Sequence, residues 1–333
     1  MNTIWQLTVT PMILNHRFNL YISSCAGDGG IYHYQTDGNG GVALKGIYGI
    51  DRPMYISIRG NKLRCLLRAP FGDSNESGLV SYDIKPDGSL SGQTEPQSTK
   101  GVVACHLTET KEDVYCANYL SGSVIKMPDT VDVHSGRGIN PKRQEAPHTH
   151  FVAESPDGRY IFATDLGIDK IFVYNKDLTV FSTADIPSGH GPRHLAFHGD
   201  GKHVFCANEL TSTVSVLEYG DGRLALTETV ASLPGGFSGE NTAAAIRCVG
   251  DEIFVSQRGH DSVSMLKFAD GHLTLCGSTP CGGKGQRDLW ADDEIFICTN
   301  EVSDNVTFLR RNSGEIIYDF SVKSPISVIA VKM

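Results

Sequence analysis

No stretch of this chain reaches the roughly 18 consecutive apolar residues that a membrane-spanning helix needs. Basic residues are in deficit, 29 Lys and Arg against 38 Asp and Glu, for a formal net charge of −9, and they form no block. Neither a nucleic-acid backbone nor an anionic membrane surface is therefore an expected partner. The nine cysteines are an odd number with no C-x-x-C pair, which argues against a disulfide framework and against a zinc ribbon. There is no G-x-S-x-G elbow, so a covalent serine mechanism has no support. The glycine clusters Gly27 to Gly30 and Gly38 to Gly41 lack the strand-to-helix setting of a phosphate loop and read as turns. Met1 to Thr10 hold no Lys or Arg ahead of an apolar stretch, and no small-residue cleavage site follows. A secretory leader is not expected, and a reducing cytoplasm is the expected location.

What the chain does have is glycine, 36 in 333 residues, with 40% hydrophobic residues and a mean hydropathy of −0.17. That balance belongs to a globular protein able to bury a sizeable core. The apolar residues come in short runs rich in β-branched and aromatic types, such as His203 to Cys206, Val214 to Leu217, Ile253 to Val255 and Ile295 to Cys298, set between polar turns. No helical period is sustained, so the expected class is all-β.

Repeats give the architecture. Arg193 to Leu217 (RHLAFHGDGKHVFCANELTSTVSVL) reads as strand, glycine turn, strand, polar turn, strand, and His150 to Tyr174 (HFVAESPDGRYIFATDLGIDKIFVY) matches it without a gap. Following the position of Asn208 through the chain gives Cys25, Arg68, Asn118, Asp165, Asn208, Gln257 and Asn300, in steps of 43 to 50 residues. Seven small sheets of this length predict a seven-bladed β-propeller, in which each sheet covers its faces against its neighbours. The tail Ser324 to Met333 resembles only a first strand, and Asn19 to Tyr34 only later ones, so the ring is expected to close by pairing the two ends. Residues 1–333 are then one propeller domain with no linker. Cys116, Cys206 and Cys298 hold the same place in their repeats and read as small hydrophobes between blades rather than nucleophiles.

In an antiparallel hairpin the start of the first strand lies beside the end of the second, so both positions should converge on one mouth of the central channel. First-strand starts carry His150, Arg193, Thr242 and Arg287; second-strand ends carry Tyr119, Leu166, Glu209, Arg258 and Glu301. A structural repeat needs none of these charges, so the rim predicts a concave site for a small anion. His148 and His150 share an H-x-H spacing that suits a metal, but no third ligand follows and the arginines repel cations. No metal is expected.

The strings Arg143-Gln-Glu-Ala-Pro-His-Thr-His150, Asp165-Leu-Gly-Ile-Asp-Lys170, Gly189-His-Gly-Pro-Arg-His194, Asn208-Glu-Leu210 and Gln257-Arg-Gly-His-Asp-Ser262 resemble the seven-bladed propeller lactonases. That family includes 6-phosphogluconolactonases of the propeller type and fungal carboxymuconate cycloisomerases. The resemblance implies an active site at His150, Arg193, Glu209 and Arg258, with Arg287, His148, His190 and Glu301 as further substrate-binding positions. The chain departs from the family pattern at Gln286, where Pro usually precedes the Arg, and in the short turn Asp292 to Glu294. For a sugar δ-lactone, Glu209 or His150 would take the proton of the attacking water, while Arg193 and Arg258 would hold the substrate's phosphate or carboxylate and face the oxyanion. No cofactor is needed. The alternatives are lactonisation of a carboxymuconate-like dicarboxylate and a non-catalytic propeller that binds a protein, and the chain is expected as a monomer or homodimer.

Overall fold

The computed structural model describes residues 17–37 and 41–333. The segment Met1 to Thr10, where no secretory leader was expected, and the turn glycines Gly38 and Gly40 lie outside the described residues. Among the described residues there are strands and turns and no helix. The strands form seven antiparallel sheets arranged as a seven-bladed β-propeller. Blade five shows the plan: an inner strand Pro192–Phe197, then His203–Asn208, Thr213–Gly220 and an outer strand Arg223–Ala231, paired in that order. The other inner strands are Pro53–Arg59, Ala104–Glu109, Thr149–Glu154, Thr242–Val249 and Gln286–Ala291.

Blade one is assembled from both ends of the chain. Its inner strand, Pro325–Lys332, pairs antiparallel with Phe18–Ser24, Leu20 facing Ala330 and Ile22 facing Val328. This is the closure expected from the partial repeats at the two ends.

Between blades the apolar faces meet in seven buried clusters. Phe151, Phe162, Ile171 and Val173 of blade four pack on Leu195, Val204, Cys206 and Leu217 of blade five. Phe18, Leu20 and Val328 of blade one pack on Ile297, Val306 and Phe308 of blade seven. A sheet with two apolar faces exposes neither once the ring is closed, which is why central strands such as Ile295–Asn300 are buried at every position despite their alternation. Cys116, Cys206 and Cys298 are fully buried in three of these seams, as their repeat position predicts.

One hydrogen bond recurs around the ring. In six of the seven blades the amide after the second strand donates to the carbonyl just ahead of the facing inner strand: Cys25 to Ser324, Arg68 to Arg52, Tyr119 to Val103, Leu166 to His148, Glu209 to Gly191 and Glu301 to Gly285, at 2.8–3.2 Å. It ties first-strand starts to second-strand ends at one mouth of the channel, the juxtaposition inferred from hairpin geometry.

Candidate active site

At that mouth every inner strand carries a register break. The pairing steps from Pro53 to Tyr55, Ala104 to His106, Thr149 to Phe151, Pro192 to His194, Gln286 to Asp288 and Pro325 to Ser327, and each step skips one residue. The skipped residues are Met54, Cys105, His150, Arg193, Arg287 and Ile326. A bulge opposes two residues to one and re-aims the extra side chain; here all six turn toward the axis and line the two recesses at the mouth. In blade six the break falls between Ala243 and Ile246, opposite Ser256. The equivalent residue is therefore Ala244, not Thr242, which is one pair further out, opposite Arg258, and lines the cavity from there.

The cavity encloses about 370 Å³. His150, Glu209, Arg258 and Arg287 of the expected set line it, joined by Arg143, Arg68, Tyr119 and Cys105. Arg193 lies beneath, on the wall of a much smaller recess that also reaches His150, and is 2% exposed. Glu209 is the centre of the arrangement. Arg143 Nη2 lies 2.5 Å from Oε1, while Arg193 Nε and Arg258 Nη2 lie 2.9 and 3.0 Å from Oε2. The Nε–H groups of Arg193 and Arg258 are buried without a well-aimed acceptor, so their contact with Glu209 is an ion pair that leaves donor capacity unused.

Burial alone would raise the pKa of Glu209, but Arg258, Arg193 and the other positive groups overwhelm it and hold the carboxyl well below its usual range. One carboxylate does not neutralise three guanidiniums. Burial and then repulsion from Arg258 push Arg193 down to about 9, still charged at neutrality. Arg258 is lowered by burial in the same direction. Burial also weighs against Arg143, yet Glu209 and Tyr119 outweigh it and raise its pKa. The pocket thus carries an excess of positive charge.

His150 is 5% exposed, and burial followed by the charge of Arg193 holds its pKa well below the ordinary value. It is a neutral imidazole at pH 7, edge-on to Tyr119 and His194 at 5.5 and 5.2 Å between ring centres. Its Nδ1 lies 3.8 Å from Cys105 Sγ, a thiol that burial pushes up to about 12 and so keeps unreactive.

The entry segments hold these side chains in place. Asp169, in the turn of blade four, accepts from the amides of Gly189 and Gly191, both at 2.7 Å, and so anchors the approach to Arg193. Gly191 has φ +66°, and a Cβ there would meet Leu210 at 2.7 Å. Asp261 repeats the device on Gly285 ahead of Arg287, at 2.8 Å. Gln286 begins its strand opposite Asn300 with the usual bulge after it, so the departure from the family pattern leaves Arg287 in the cavity wall. Arg143 comes from the long loop 134–148. That loop is pinned by Gln144 donating to the Leu166 carbonyl (2.9 Å) and by buried His134, between Asp165 (2.6 Å) and the Tyr174 hydroxyl (2.5 Å).

Three expected substrate contacts stand elsewhere. His148 stacks behind Tyr119 at 4.6 Å, with Nε2 on Glu145 and Nδ1 on the Tyr119 carbonyl, because its own carbonyl is used in the recurring bond and the strand turns its ring away from the axis. His190 has Nδ1 3.2 Å from Thr213 Oγ1 and lies outside the lining. Glu301 is also outside it and reaches Arg287 at 4.0 Å. Arg143, Arg68, Met54 and Cys105 were not singled out as site residues by the sequence. The inner-strand pair Met54 and Cys105 was legible in principle by aligning blades two and three on the His150 position. Arg143 lies on a loop outside the repeat and carries no such signal.

Arg143 is the one guanidinium on Glu209 that a loop supplies. Its replacement by Ala is expected to raise KM for an anionic substrate at least tenfold with a smaller change in kcat, because the lost charge acts in ground and transition states alike. Steady-state kinetics would show this, and an unchanged KM would remove Arg143 from the site.

A ring of seven blades with a charge-dense cup at one mouth of its channel is the class that the fold and these residues define. Residues 19–329 match the lactonase, 7-bladed beta-propeller, family model, and the chain belongs to that family. It is 30% identical over 265 residues to an uncharacterised protein of Staphylococcus aureus strain N315, covering 73% of this chain and 78% of that one. Among solved structures, a Lactobacillus plantarum protein and the periplasmic gluconolactonase of Pseudomonas aeruginosa each superpose with a TM-score of 0.84 at 26% identity, covering 95% of this chain and 99% of theirs.

Proposed function

We propose that this lactonase-family propeller hydrolyses a small anionic sugar lactone, 6-phosphogluconolactone foremost, in the cup around Glu209. The observation that carries this reading is one buried carboxylate shared by Arg143, Arg193 and Arg258, with Arg287 and Arg68 lining the same cavity as Glu209. The surplus positive charge is complementary to a phosphate and has no role for a neutral sugar alone. The gluconolactonase likeness supports the lactone half of the proposal.

Arg68 follows the second strand of blade two and Arg287 lies on the inner strand of blade seven, the two blades that flank blade one, so they share one end of the cup, and they would take the phosphate. The lactone carbonyl then lies toward His150 and Arg258. Neutral His150 removes a proton from water as the oxygen bonds to the carbonyl carbon, and the oxyanion that forms faces the Arg258 guanidinium. When the bond from that carbon to the ring oxygen breaks, the imidazolium returns its proton to the departing alkoxide. Glu209, ionised and tied to arginines, is the poorer base and serves to hold the guanidiniums in position.

The test is a substrate comparison with purified protein in the presence of chelator, corrected for spontaneous hydrolysis. The phosphorylated lactone is expected to show kcat/KM about 100-fold above δ-gluconolactone, the worth of roughly 2.7 kcal/mol from a charge-assisted anchor. Equal values would refute the anion reading. Turnover of a carboxymuconate in place of both lactones would establish the cycloisomerase, and no turnover of any would leave the binding module.

A further inference from the structure

On the face of the ring opposite the cup, the turn between the first two strands of blade five reads His198-Gly-Asp-Gly-Lys-His203. His198, Asp200 and His203 bring one ligand atom each to within 4.8 Å of the others. Asp200 Oδ2 lies 3.1 Å from His198 Nδ1 and 2.6 Å from His203 Nδ1. The other oxygen of Asp200 is occupied by the amides of Lys202 (2.8 Å) and His203 (3.1 Å), so the turn itself orients Oδ2 toward the two rings. We infer that this turn is a divalent transition-metal site, with zinc as its ion.

Three observations point the same way. His198 Nδ1 is buried and makes no aligned hydrogen bond, although Asp200 Oδ2 lies 3.1 Å away. The far nitrogen of the same ring, Nε2, is 3.1 Å from Asp251 Oδ1, in the turn between the first two strands of blade six. A carboxylate on the outer nitrogen is the support that metal-binding histidines usually have, because it fixes the tautomer that presents the other nitrogen to the ion. Finally, both rings are held by Phe268, at 5.3 and 4.7 Å, and the Phe268 amide donates to the Asp251 carbonyl at 2.8 Å. Two imidazoles and one carboxylate with an open position suit zinc, whereas magnesium and calcium prefer all-oxygen sets. A tetrahedral ion with bonds near 2.1 Å needs its ligands about 3.4 Å apart, so small side-chain rotations complete the site. The bound ion would tie the blade-five turn and, through Asp251, blade six.

The experiment is calorimetric titration of zinc chloride into tag-free, chelator-treated and dialysed full-length protein, with melting followed in parallel. One equivalent is expected to bind and to raise the melting midpoint, since a ligand selective for the native state stabilises it. His198→Ala, His203→Ala and Asp200→Asn should each weaken binding more than tenfold, and Asp251→Asn by about tenfold. Magnesium chloride should give no binding. His203→Gln keeps the size of the side chain, should an alanine variant fail to fold. Absence of a stoichiometric zinc site in the wild type, or zinc binding that survives loss of either histidine, overturns the assignment.

Discussion

Glu209→Gln is expected to cost more stability than any other single change in the cup, and to lower activity with it. The glutamine matches the shape but leaves Arg143, Arg193 and Arg258 without a counter-charge in a site where Glu209 is 3% exposed. Breaking a buried ion pair by removing one partner destabilises by about 3–5 kcal/mol, because the remaining charge stays desolvated. In a chain of this size that corresponds to a fall of roughly 5 °C in Tm. Inorganic phosphate should restore part of the loss by pairing with the freed guanidiniums, and lactone turnover should fall about 100-fold or more as they lose their positions. Differential scanning calorimetry with and without phosphate, beside activity, checks all three effects. An unchanged Tm with full activity would mean that the arginines do not depend on Glu209.

The acid side of the stability profile follows from the same residue. Its pKa is depressed in the folded protein, so its stabilising contribution is complete above the unfolded value of about 4.3 and is lost as pH falls through the lower folded value. The Gln variant should lack this part of the acid dependence.

His150→Ala carries the second large effect. A positioned general base contributes about 10²–10⁴-fold, and kcat should fall by that factor while the fold and the anion-binding end are retained. The imidazole is depressed by burial and by Arg193, so it stays neutral well below pH 6.5, and kcat should be level from pH 8 to about 6 and decline only in more acid solution. Because the unfolded chain takes up this proton first, His150 also lowers stability as pH falls below about 6.5. A titration of the His150 ring by NMR, beside the pH profile of kcat, measures the same group twice. Full turnover in the Ala variant, or a kcat that halves near pH 6.5, would remove His150 as the base.

How much of this was legible without coordinates differs from residue to residue. The positions of Asn118, Asp165, Asn208, Gln257 and Asn300 mark the ends or near-ends of second strands, all fully buried, and their side chains bond within or beside their blades, as Asn208 does to Thr213 and Ser215. A residue needed at every turn leaves a periodic trace, so the number of blades and their phase were readable. The rim followed from that phase, and His150, Glu209 and Arg258 do meet in one cavity with Arg193 beneath them. Thr242 begins its strand and lines the cavity as expected, but the bulge position of blade six is Ala244, two residues on, because the turn between its first two strands is shorter than in blade five. His148 and His190 lie close in sequence to site residues, but both precede their inner strands, in entry segments whose direction the repeat does not set.

The chain therefore determined by itself its all-β class, its seven repeats, the joining of its two ends and the mouth at which charge collects. Each of these depends on spacing along one dimension, and spacing is what a sequence records. The tertiary structure alone decided which side chains turn inward at the bulges, that Arg143 reaches Glu209 from a loop outside the repeat, and that three guanidiniums share one carboxylate. Those are relations between residues far apart in the chain, created only when the ring closes and water is excluded from its axis.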